Sequence, residues 1–96
     1  MKILHLHVKK MYWDEVLAFN KKEEYRTMNE YWKKRLEQKY DCIHYHLGYP
    51  KKSDTTKTII FLWRGFYIKN ITHGLFGKNV NVFAIPLGVD LMWGKV

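Results

Sequence analysis

Lys21-Lys22-Glu23-Glu24-Tyr25-Arg26 packs cations and carboxylates into six residues that read as part of a strand over 22–28. Residues two apart on a strand project from the same face, so Glu24 and Arg26 share one. Tyr25 and Met28, the apolar side chains of the stretch, fall on opposite faces. Polar groups on both faces predict that one lines a cleft while the other meets solvent or a neighbour. Lys21 and Lys22 offer point charges for phosphate, and Arg26 and Arg64 offer guanidinium forks that bind an oxyanion through paired hydrogen bonds. Tyr25, Trp32, Tyr45, Tyr49, Trp63 and Tyr67 are candidate stacking platforms for a base. For Trp32 the helical spacing to Leu36 favours core packing.

Two His-x-His pairs, His5/His7 and His44/His46, are the candidate metal ligands. Each pair projects to one strand face, and four imidazoles could meet if the two strands are neighbours. The spacing is not specific, and the favoured expectation is two solvent-facing pairs with no metal and no cofactor. Cys42 is the single cysteine, so no intramolecular disulfide forms. It reads as a small packing residue, and a reducing, cytoplasmic location is expected.

The elements that must position these residues follow from hydrophobic period. Residues 3–8 alternate, with Leu4, Leu6 and Val8 on one face and Ile3, His5 and His7 on the other, which predicts a strand. Residues 10–19 change to a helical period with Tyr12, Trp13, Val16 and Leu17 on one side, and Asn20 is expected to end that helix. Asn29 is expected to cap a second helix that turns Trp32 and Leu36 inward. Residues 40–49 read as a strand, 51–56 as a mobile hairpin loop, and 57–71 as a long β-rich run bent at Gly65. Residues 80–87 form a last strand, with Pro86 at an edge or strand end. The expected fold is a small α+β domain in which a mostly antiparallel sheet of about five strands curls into a barrel with two short helices.

The chain of 96 residues fits one domain, here with a core over residues 2–88 and a tail over 89–96. The tail, with Leu91, Met92 and Trp93 together, could be a dimer contact, a cap or a loose end. A composition 47% hydrophobic and 17% aromatic excludes disorder. The formal charge of +8 favours a polyanionic partner, nucleic acid before an anionic membrane. No apolar run approaches the ~20 residues needed to span a bilayer, and the amino-terminal apolar stretch is too short and interrupted for a signal peptide.

These residues in this order resemble the ASCH domain, a small PUA-like β-barrel, and in particular its small bacterial and phage members. The resemblance rests on Lys21-Lys22-Glu23-Glu24-Tyr25-Arg26 as a Lys-x-x-Glu-x-Arg strand, with Phe19 and Asn20 in place of the usual glycine turn. Tyr31, Trp32, Arg35 and Leu36 match a Tyr-Trp-x-x-Arg-Leu helix. Tyr40-Asp41 opens the next strand, which closes on Leu47-Gly48-Tyr49 where the family has Asn-Gly-Tyr. Ile85-Pro86-Leu87-Gly88 matches the Ile-x-Leu-Gly close. The likeness covers about residues 2–88.

It implies binding of RNA or a nucleotide in a cleft formed by Lys21, Lys22, Glu24 and Arg26, with Tyr49 and Arg64 in support. One branch of the family hydrolyses the amide of acetylated cytidine with a Lys, a Thr and a Glu. Lys21 matches that Lys, the Thr position is Glu24, and no glutamate follows Glu37. A carboxylate cannot replace a hydroxyl nucleophile, so binding is the expectation over that catalysis. The alternatives are an enzyme acting on RNA or modified nucleosides, with Lys21 and Glu24 as candidate catalytic residues, or a phage or host protein-interaction module.

Overall fold

A computed structural model describes residues 1–88 and the backbone of 92–93. The element order is β1 (Ile3–Val8), α1 (Lys10–Leu17), β2 (Glu23–Thr27), α2 (Glu30–Leu36), β3 (Cys42–Leu47), β4 (Thr58–Leu62), β5 (Tyr67–His73), β6 (Gly77–Pro86) and β7 (Met92–Trp93). The fold is a small α+β domain with two helices and two sheets. One sheet has the order β1-β3-β4-β7 and the other β2-β6-β5. Among the described residues no ladder joins the two sheets into a single closed one. The expectations for the tail over 89–96 lie outside the described residues, apart from the pairing of Met92–Trp93 with β4.

The alternation in β1 does what its period requires: Leu4, Leu6 and Val8 are buried and His5 is exposed. β1 pairs in parallel with β3, in register from Ile3 opposite Cys42 to Val8 opposite Leu47. The other pairings are antiparallel. The long β-rich run divides into β4 and β5 around Gly65, whose φ of +83° is open to glycine at no steric cost. Pro86 is the last residue of β6, where its missing N–H costs nothing to the ladder. The core fills the space between the sheets: Leu4, Leu6, Ile43, Tyr45, Ile59 and Phe61 come from one, Phe83 and Ile85 from the other, and Trp13, Val16 and Leu36 from the helices.

Two local details bear on the site. Asn29 caps α2, its side-chain oxygen accepting from Trp32 N at 2.9 Å. At the end of α1 the left-handed residue is Phe19, with φ +59°, and not Asn20. Asn20 N donates to Glu15 O at 3.0 Å and Phe19 N to Val16 O at 3.0 Å, the paired bonds of a Schellman ending. Leu17, expected on the inner side of α1, is exposed because the helix turns only Trp13 and Val16 fully into the core. No helix among the described residues is long and apolar enough to cross a membrane.

Candidate ligand cleft

The Schellman ending delivers the chain straight into β2, an edge strand paired with β6. The strand carries a separate ionic network on each face. Outward, Glu23 accepts from Lys69 Nζ at 2.7 Å, from Tyr25 at 3.1 Å and from Tyr67. Inward, Glu24 is buried, 4% exposed, between two cations. Lys21 Nζ donates to its Oε1 at 2.9 Å and Arg26 Nη2 to its Oε2 at 2.5 Å. The Arg26 Nη2 also reaches the His7 carbonyl on β1 at 3.2 Å, which ties the second sheet to the first.

This triad forms one wall of a cavity of about 250 Å³ lined also by His7, Tyr12, Tyr25, Trp32, His73 and Phe76. Aromatic faces hold the cations in place. Lys21 Nζ lies 4.4 Å from the centre of the Tyr12 ring, and the Arg26 guanidinium 4.8 Å from that of Trp32. Arg26 Nε is buried, and no hydrogen-bond partner reaches it among the described residues. Beneath the triad, burial and then the Glu24 carboxylate push the Tyr45 phenol far above its ordinary range, so it stays protonated. Glu24 is thus an acceptor filled from both sides, and the cleft keeps a net positive charge from two cations around one carboxylate.

The sequence-derived site residues divide accordingly. Lys21, Glu24 and Arg26 meet in the cleft. Lys22 is exposed and does not line this cavity; it borders a broad adjoining groove with Met11, Glu15 and Tyr67. Arg64, in the connection between β4 and β5, lies against Gly88, where an added Cβ would fall 2.5 Å from its Nε, and does not line the cavity. Tyr49 is highly exposed and stacks on His7, ring centres 4.2 Å apart, but does not itself line the cavity. Trp32 is packed at the edge of the core as its spacing implied, yet it also lines the cleft. Tyr12, His7, His73 and Phe76 were not anticipated as cleft residues. Tyr12 sits nine residues before Lys21, and only the turn after α1 brings them together.

The histidines did not stay apart. The parallel register sets His5 opposite His44 and His7 opposite His46 on the face of the sheet away from the core. His5 faces solvent as expected, but His44 is buried at 8% exposure and His46 is half-buried. The reason is the connection between β3 and β4, which folds over them and borders a second cavity of about 290 Å³ that stays open to solvent. That connection holds a 3-10 turn, Thr55–Lys57, capped by Asp54. Burial, reinforced by the neighbouring imidazoles, lowers the pKa of His5 and of His44 and brings that of His46 to about 4. Cys42 is buried and its thiol pushed up, mainly by burial, which suits a packing residue and not a nucleophile.

Comparison with protein-family models, with curated proteins and with solved structures returns no match to this chain.

Proposed function

We propose that the chain is a nucleic-acid-binding module of the ASCH, PUA-like type that takes RNA or a nucleotide. The observation that carries this reading is the clamp of Lys21 and Arg26 on the buried Glu24 in a cavity walled by Tyr12, Tyr25 and Trp32. A cation pair beside aromatic faces is the chemistry that takes a phosphate and a base together. The cavity volume of about 250 Å³ lies just below the ~300 Å³ at which pockets for drug-sized ligands begin, so it suits one nucleotide unit and not a duplex. The net charge of +8 adds long-range attraction for the rest of a strand.

Titration of isotope-labelled protein with nucleoside monophosphates and short single-stranded RNA tests this reading. The Trp32 indole and Arg26 Nε–H resonances are expected to shift together and saturably. Shifts confined to Lys51, Lys52 and other loop lysines would contradict the cleft assignment.

One observation favours an enzymatic variant. His7 and His73 both border the cavity that holds Lys21 and Glu24, the groups an acid-base cleavage of RNA would use. Turnover of labelled RNA that is lost in both His73→Ala and Lys21→Met would establish it. The amidohydrolase alternative gains nothing, since residue 24 is a doubly paired carboxylate.

A further inference from the structure

We infer that His5, His44 and His46 form a site for one divalent transition-metal ion of the zinc class, with a coordination position left open to solvent. One ring nitrogen from each residue lies within 4.8 Å of the others. His5 Nδ1 and His46 Nε2 are 2.9 Å apart, and in the metal-free protein a single proton must lie between them. A tetrahedral zinc with Zn–N bonds of ~2.0–2.1 Å holds its nitrogens roughly 3.3–3.4 Å apart, so the metal takes the place of that proton with small ring rotations.

Three further features point to a ligand. His44 Nε2 is buried with no partner, a nitrogen that nothing else in the described structure satisfies. His46 Nδ1 lies 2.8 Å from Thr58 Oγ1, which holds the ring in place and leaves Nε2 facing His5, the outer-shell arrangement that metal-bound imidazoles use. The three rings open onto the cavity of about 290 Å³ beneath the β3–β4 connection, which gives an ion and a water a place to sit.

The donor set names the metal class. Three imidazoles without a thiolate suit zinc, copper or nickel and do not suit magnesium or calcium. Asp54 borders the same cavity, but its carboxylate accepts from Thr56 N at 3.1 Å and pairs with Lys57 at 3.4 Å. Lys51 and Lys52 also border it and repel a cation, so they favour water or a small anion as the fourth ligand. His7 stacks on His46 with ring centres 4.7 Å apart and holds the Gly48 carbonyl through Nδ1 at 2.8 Å, so it supports the site without joining it. It borders the ligand cleft as well, which places the ion one residue layer from the nucleotide site.

The test is calorimetric titration of the full chain, stripped with EDTA, with zinc, alongside cobalt absorption spectra. One zinc per chain is expected, with a cobalt d–d band of tetrahedral intensity. His5→Ala, at an exposed position that leaves the core intact, and His46→Ala should each weaken zinc binding at least tenfold. Thr58→Val should weaken it by about tenfold through the lost outer-shell bond. Cys42→Ser should leave it unchanged. Absence of stoichiometric zinc binding, or an affinity indifferent to both histidine substitutions, overturns the inference.

Discussion

Glu24 and Arg26 stand two residues apart on β2 and are joined side chain to side chain, Arg26 Nη2 donating to Glu24 Oε2 at 2.5 Å. With Lys21 on the other carboxylate oxygen, the strand carries a nearly buried three-charge unit in the wall of a cavity. Such units are seldom kept for stability, because desolvation of the charges offsets most of their attraction. Their placement at a cavity beside aromatic rings is better explained by a ligand than by the fold.

That explanation separates two kinds of variant. Glu24→Ala takes from Lys21 and Arg26 their shared carboxylate and should lower the unfolding free energy by about 3–5 kcal/mol. The triple variant Lys21→Met, Glu24→Leu, Arg26→Met removes all three charges and should match the wild type to within about 1 kcal/mol or exceed it. Urea denaturation of both proteins checks the pair. A triple variant as unstable as Glu24→Ala would make the triad a structural element.

Phe19 pays a steric penalty at φ +59°, where a Cβ is crowded, and its side chain is largely exposed. Left-handed backbone costs a non-glycine residue roughly 1–2 kcal/mol, part of which glycine returns through a more flexible unfolded chain. Phe19→Gly is therefore expected to raise stability by up to about 1 kcal/mol. Thermal denaturation reads it directly, and a clear loss of stability would mean that Phe19 packs in a way its exposure hides.

Acid should weaken the metal-free protein through the histidine face. The pKa of His46 is lowered from 6.5 to about 4 in the folded chain. Between these values the unfolded chain binds more protons than the folded one, so stability rises with pH. The contribution is fully present above about pH 6.5 and is lost as the pH falls toward 4. Melting temperatures measured in EDTA across this window should fall with acidification, and His46→Asn should flatten the fall. A wild-type melting temperature that is level from pH 6.5 to 4 contradicts the burial of a neutral imidazole.

What the sequence showed and what it hid follow one physical line. Local patterns were legible. The period-two alternation placed Leu4, Leu6 and Val8 in the core, and Asn29 capped α2 as its side chain allows. The pairing of Glu24 with Arg26 on one face was legible because strand geometry alone dictates it. Non-local pairing was not. Nothing in residues 3–8 or 42–47 announces that these strands run parallel and in register, and that single fact gathers the histidines. The double role of Trp32 was hidden for the same reason: helical spacing says which face turns inward, but not that Arg26 waits there.

The most direct test of the cleft is fluorescence titration of a short single-stranded RNA against wild type and Lys21→Met across a series of salt concentrations. The wild type should bind with a linear fall of log K against log salt, and Lys21→Met should bind more weakly with a slope shallower by about 0.7, one phosphate contact on a single strand. Equal affinity and equal slope for the two proteins, or no binding by wild type at low salt, would contradict the account.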